Sequence, residues 1–131
     1  MVEIVEEIPS VGDFLRLRRI SGLSPRPRDA AERGLPNSLY AVQIRIEGET
    51  IGMGRIVGDG GLNYEIVDVA VDTAHQGKGL GRAVMERLMA YLEREAPKGA
   101  YVSLVGDVPA LYEKFGFRLT RPGGEGMYWI R

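Results

Sequence analysis

Cysteine is absent from the chain, and histidine occurs once, as His75. Without cysteine there is no disulfide, no thiolate metal site and no cysteine nucleophile. One histidine leaves the usual zinc ligand sets unfilled, so no metal is expected. An excess of positive charge is also missing: 17 Lys and Arg stand against 18 Asp and Glu, for a net charge of −1. Nucleic acid is therefore not expected as a partner, because phosphate binding calls for a net basic face. No apolar run approaches the ~20 residues that span a bilayer, and no N-terminal stretch reads as a signal peptide. The expectation is a cytoplasmic protein without a membrane partner. Repeats, low-complexity tracts and linkers are lacking as well. What is there, 131 residues with 44% hydrophobic and 27% charged content, suits one globular domain over 1–131.

Along the chain, "VEIVEEI" at 2–8 alternates loosely and predicts a first strand. Ser10 is placed to cap a helix carrying Val11, Phe14, Leu15 and Leu17, which Gly22 would stop. "SPRPRDAAERGLP" predicts a second, short helix. "SLYAVQIRIE" and "TIGMGRIVG" read as strands split by a two-residue turn at Gly48-Glu49, and "DGG" at 59–61 leads into a third, "LNYEIVDVAVD". From Gly79 to Ala96, Val84, Leu88 and Leu92 recur every fourth residue beside Met85 and Met89, the pattern of an amphipathic helix. "AYVSLV" then reads as a buried strand, so strand, helix and strand form a βαβ unit with parallel strands. "VPALYEKFGF" predicts a short helix opened by Pro109 and closed by Gly116, and "GMYWIR" a last strand. The fold class is α+β on a mixed sheet.

Gly77, Gly79 and Gly81 alternate where the third strand gives way to the long helix. The first N–H groups of a helix lack internal partners and sit at the positive end of its dipole. Glycines let a phosphate approach without a Cβ in the way. A tight turn alone needs one glycine, so three favour an anion held by backbone N–H groups from Gln76 to Arg82. The P-loop pattern fails, because Gly79 follows Lys78 where Ser or Thr belongs and Asp72 takes the place of the first glycine. The dinucleotide fingerprint puts its third glycine on Arg82, and no second βαβ half exists for another nucleotide. Mononucleotides and coenzyme A remain.

Gln76-Gly77-Lys78-Gly79-Leu80-Gly81 resembles the Gln/Arg-x-x-Gly-x-Gly/Ala pyrophosphate loop of the GNAT superfamily, the acetyl-CoA-dependent N-acetyltransferases. The resemblance extends to "EIVDVAVD" before it and "ALYEKFGF" after it, over residues 38 to 118, and suggests a small single-domain member of bacterial type. It implies a mostly antiparallel mixed sheet flanked by helices, whose fourth and fifth strands splay around the pantetheine arm. It implies acetyl-CoA as cosubstrate, held at Gln76, Gly77, Lys78, Gly79, Leu80, Gly81 and Arg82, with peptide groups of Val69, Ala70 and Val71 offered to pantetheine. A backbone N–H there would polarise the thioester carbonyl. By resemblance Tyr112 is the general acid to the departing sulfur, and Glu65 the base that deprotonates the amine. Tyr112 could otherwise be an amphipathic core residue, and Glu65 a strand carboxylate paired with an arginine. Relatives carry an asparagine before this tyrosine; here Asp107 stands nearby, and that contact is not carried over.

Asp68 reads as structural, facing the other way from Glu65; His75 reads as a turn residue, and Tyr64 and Trp129 as core or pocket wall. Arg16, Arg18, Arg19, Arg26, Arg28 and Arg33 suggest an acidic group on a small-molecule amine acceptor, since guanidinium binds carboxylate through two bonds. The alternative function is a non-catalytic sensor of acetyl-CoA or a nucleotide; a weaker one is a dehydrogenase fragment. Dimers are frequent in the family, which leaves a homodimer open.

Overall fold

The computed structural model describes residues 1–106 and 108–131; Asp107, the departure noted above, lies outside the described residues. Strand β1 (Val2–Val5) leads to helix α1 (Val11–Ile20) and helix α2 (Arg28–Gly34), which runs into a 3-10 turn at Leu35–Asn37. The Ser10 hydroxyl accepts the Asp13 N–H at 3.1 Å and so supplies one of the partners that the start of α1 lacks. Strands β2 (Tyr40–Ile46), β3 (Glu49–Gly58) and β4 (Asn63–Val71) form the antiparallel meander. Helix α3 (Leu80–Glu95) crosses to β5 (Tyr101–Leu104), parallel to β4, and α4 (Pro109–Glu113) follows. The sheet order is β1-β2-β3-β4-β5.

The sheet is covered on both faces. Val42, Ile44, Ile56 and Ile66 pack with Val84, Met85, Leu88 and Leu92 of α3. On the other face Met53 and Ala70 meet Phe14 and Leu17 of α1, with Ala31 and Leu35. A Cβ at Gly54 would lie 2.5 Å from Val84 and 3.1 Å from Leu88, so glycine in β3 is what lets α3 come this close. In the β3–β4 turn the Asp59 carboxylate accepts the N–H groups of Gly61, Leu62 and Asn63 at 2.8–3.1 Å. Those bonds hold its carboxyl below the usual range.

Three expectations are corrected. The β2–β3 turn is Glu47-Gly48, one residue earlier than Gly48-Glu49, and Ile46 pairs with Glu49. Glu47 has φ 50° and Gly48 φ 80°, the two positive values that a two-residue turn needs to match strand twist. "GMYWIR" makes no strand: residues 126–131 have no ladder partner among the described residues, and Trp129 is exposed rather than core or pocket wall. Strand propensity alone makes no strand without a partner.

Candidate active site

The site begins at the end of β4. Asp72 turns the chain by accepting the Ala74 N–H at 2.9 Å, and its carbonyl accepts the His75 N–H at 2.8 Å. His75 closes this 3-10 turn (Thr73–His75), as its reading as a turn residue requires. The Gln76 side-chain amide donates to the Val71 carbonyl at 3.0 Å, tying the loop back to the strand. Gly77 (φ 82°) and Gly79 (φ 78°) are both left-handed, a region that costs other residues energy. A Cβ on either would meet nothing within 4 Å, so the backbone, not packing, demands glycine there. Gly81 has ordinary φ and a Cβ there would come only within 4.0 Å of Val71.

The first bond of α3 runs from the Ala83 N–H to the Gly79 carbonyl at 3.1 Å. The N–H groups of Leu80, Gly81 and Arg82 therefore precede any acceptor within the helix and point out at its positive end. Lys78 and Arg82 are exposed beside them, with the Lys78 ammonium 3.5 Å from His75 Nδ1.

The β4–β5 ladder pairs only Asn63–Ile66 with Tyr101–Leu104. Beyond Ile66, β4 has no strand partner on that side among the described residues, because β5 ends at Leu104. Val69, Ala70 and Val71 belong to this stretch of β4, and the Val71 carbonyl is already taken by Gln76.

A β-bulge shapes the same stretch. Met53 pairs with Ala70 and Arg55 with Val67, so Asp68 and Val69 together oppose Gly54. Asp68 has φ 58°. Strict alternation would put its side chain with Tyr64 and Ile66 toward α3; the extra residue turns it to the α1 face instead. There its carboxylate accepts Arg18 Nη1 at 2.5 Å and Arg55 Nε at 2.6 Å. Arg18 also donates to the Ser24 carbonyl at 2.8 Å and to the Ser24 hydroxyl at 3.1 Å, while Arg55 reaches the Ser38 hydroxyl at 2.8 Å. The Phe14 ring lies 5.9 and 5.8 Å from the two guanidinium carbons. Burial lowers the Arg18 pKa and the Asp68 charge opposes that shift. Asp68 is structural, as expected, but it shares Glu65's face rather than opposing it.

The bulge also removes Arg18 from the set of acceptor-binding arginines, because it is buried and fully bonded. Arg16 is engaged too, donating to Asp13 at 3.2 Å and to the Thr50 carbonyl at 2.7 Å. Arg26 donates to the Ser24 hydroxyl at 2.6 Å. Arg19, Arg28 and Arg33 remain exposed, with no ion pair among the described residues.

Glu65 is half-buried in β4 between Val57 and Ser103, and makes no ion pair among the described residues. The arginine pairing considered for it is not formed. Tyr112, on α4, packs against the α3-side core and lines a cavity of about 460 Å³ with Leu104, Gly106 and Phe117. A Cβ at Gly106 would strike the Tyr112 ring, so this glycine seats the phenol. Sequence reading missed Gly106 as well as the two arginines at the bulge. Tyr64 is core, as expected. The structure does not bring Glu65 and Tyr112 into one cavity; they sit on opposite faces of the sheet.

A mixed sheet beside a glycine loop that opens a helix with unpartnered N–H groups is the architecture to which the comparisons apply. The family model for the acetyltransferase (GNAT) family matches residues 11–117, and the chain belongs to that family. It is 40% identical over 86 residues to GCN5-related N-acetyltransferase 2, chloroplastic, of Arabidopsis thaliana, covering 63% of this chain and 32% of that protein. It is 36% identical over 84 residues to serotonin N-acetyltransferase 2, chloroplastic, of rice (Oryza sativa subsp. japonica), covering 64% and 42%. The chain thus spans about a third of the length of the Arabidopsis relative. Among solved structures, SA2161 of methicillin-resistant Staphylococcus aureus, a protein of unknown function, matches with 44% identity and a TM-score of 0.94 over 100% of both chains.

Proposed function

We propose that this chain moves the acetyl group of acetyl-CoA directly to the primary amine of a small molecule. The observation that supports the reading is the loop after β4, in which Gly77 and Gly79 are left-handed and the N–H groups of Leu80 to Arg82 precede the first bond of α3. The proposal treats residues 1–131 as one N-acetyltransferase domain and the cytoplasm as its compartment. Among the described residues no helix is long and apolar enough to cross a membrane.

In this reading, backbone N–H groups from Gln76 to Arg82 bind the pyrophosphate, and Lys78 and Arg82 add positive charge. The strand edge at Val69 and Ala70 and the Val71 N–H face the pantetheine arm. A primary ammonium with pKa near ~10 must lose a proton before it attacks. Glu65 takes that proton through water, from the face of the sheet opposite Tyr112. The amine nitrogen then attacks the thioester carbonyl carbon, a backbone N–H of β4 stabilises the oxyanion, and the C–S bond breaks as the nitrogen gives its second proton to water, leaving a neutral amide. Tyr112 donates its phenolic proton to the departing sulfur and is reprotonated from solvent. Neither residue needs a metal for these steps.

The three free arginines, Arg19, Arg28 and Arg33, support an acceptor that bears a carboxylate or phosphate as well as its amine. The test is thiol release from acetyl-CoA across a panel of amino acids, arylalkylamines, spermidine and a lysine-rich peptide. Turnover led by acidic small amines is expected. Spermidine or the peptide far ahead of every small acid would overturn the acceptor class, and binding without release from any amine would leave a sensor module.

A further inference from the structure

A buried cluster of charge that takes no part in the steps above sits where β4 changes phase. The Leu62 carbonyl accepts the Tyr101 N–H of β5 at 2.8 Å. By the alternation of a strand, Tyr64 and Ile66 turn their peptide groups toward β5 as well. Past Asp68 the phase is the other one. The Asp72 N–H bonds the Ile51 carbonyl at 2.8 Å, so Asp72 faces β3, while Val71 and Val69 face away from it. The Val71 carbonyl, bonded to the Gln76 side chain, points the same way. Had β4 kept one phase, the peptide groups of Val69 and Val71 would bond β3. The shift of one residue is the bulge in which Asp68 and Val69 oppose Gly54.

Backbone preference does not hold that bulge, because φ 58° at Asp68 is a sparsely populated region for a residue with a side chain. Charge holds it. The Asp68 side chain is only 8% exposed, and Arg18 of α1 and Arg55 of β3 each grip one of its carboxylate oxygens. Ser24 and Ser38 accept further guanidinium donors, which fixes the two arginines in turn. The carboxylate can neither rotate nor withdraw without breaking a charged hydrogen bond away from water. We propose that Asp68 is a positioning residue for acetyl transfer: with Arg18 and Arg55 it sets the phase of β4 that turns the Val69 and Val71 N–H groups to the strand's unpaired edge. The proposal rests on the acetyl-transfer reading, in which a β4 N–H stabilises the oxyanion. Asp68 acts through the backbone that follows it and touches no substrate.

Asp68→Ala and Asp68→Gly remove the same two ion pairs and differ in the ease of φ 58°, which glycine adopts freely. The kcat and the Kd for acetyl-CoA are measured well below the Tm of each variant. Asp68→Ala should lower kcat by about 10²-fold, the effect of one lost oxyanion donor, and leave Kd within a few-fold because the 76–82 loop is untouched. Asp68→Gly should recover about tenfold or more of that loss. Arg55→Lys, which keeps the charge but not the fork, should lie between wild type and Asp68→Ala, and it decides the matter if both Asp68 variants fail to fold. Amide hydrogen exchange by NMR reads the phase without turnover: Val69 and Val71 should exchange fast and Asp72 slowly in wild type. Equal kcat in the alanine and glycine variants, or wild-type kcat in Arg55→Lys, overturns the proposal and leaves acetyl transfer standing. Val69 and Val71 amides as protected as that of Asp72 overturn it too. A wild type that transfers acetyl to no amine removes the acetyl-transfer reading itself, and the positioning role with it.

Discussion

Replacing Gly79 with glutamate separates the loop's role in folding from its role in binding. Position 79 has φ 78°, and a Cβ there meets nothing within 4 Å. The folding cost is therefore backbone strain alone, about 1–2 kcal/mol for an L-residue held left-handed. A carboxylate at a helix N-terminus returns about 0.3–1 kcal/mol. The net loss is about 1 kcal/mol, a fall of roughly 3–5 °C in Tm at this chain size. Binding should suffer far more. A carboxylate ~5 Å from one phosphate charge, at an effective dielectric of ~20, opposes it by about 3 kcal/mol. That is a factor of about 100 in Kd for acetyl-CoA. Gly79→Asn, uncharged and more tolerant of this φ, should melt near wild type and bind better than the glutamate variant. Calorimetric titration beside thermal melting makes both measurements on one sample. A folded Gly79→Glu protein with wild-type affinity would refute the assignment of the pyrophosphate to this loop.

Tyr112→Phe should keep acetyl-CoA affinity and lower kcat by roughly 10²-fold where chemistry limits the rate; an unchanged kcat would return Tyr112 to the core. Glu65→Gln should lose most activity near neutral pH and recover toward the amine's own pKa, so a loss uniform across the pH–rate profile would speak for a structural role. Asp68→Ala leaves buried Arg18 and half-buried Arg55 without their shared carboxylate, and should cost about 3–5 kcal/mol in urea unfolding. A loss below 1 kcal/mol would mean the bulge is held by something else. Burial and the 2.9 Å bond to Glu6 push the Tyr40 pKa up to about 12. The unfolded tyrosine ionises near ~10, so this contribution is intact below pH ~10 and is lost as pH rises toward 12. Ultraviolet phenolate titration should show a late component that Tyr40→Phe removes, and its persistence in that variant would assign it to another tyrosine.

What the sequence disclosed and what it hid divide along physical lines. The α3 stripe of Val84, Leu88 and Leu92 is local and periodic, and the structure buries it as read. The βαβ unit followed from it, and the glycine loop was legible because two of its three glycines do sit at positive φ. Tertiary partners were the hidden part. The bulge at Asp68 depends on Arg18 and Arg55, 50 and 13 residues away in sequence, so alternation along β4 misjudged its face. A signal was present, since a carboxylate set among valines in "EIVDVAV" asks for buried cationic partners. The same pairing explains why a row of six arginines overstated the acceptor-binding charge. Gly106 was hidden because only the packed Tyr112 ring gives it a role. "GMYWIR" had strand composition, but nothing in sequence shows whether an edge is within reach.

Acetyl transfer itself is the claim on which the account stands, and isotope-labelled acetyl-CoA incubated with a pool of primary amines tests it directly by mass spectrometry. The account predicts label in an amide product, with free thiol released in equal amount, and both suppressed together in Gly79→Glu. Label that stays on coenzyme A, in a protein that binds it at the 76–82 loop, would contradict it.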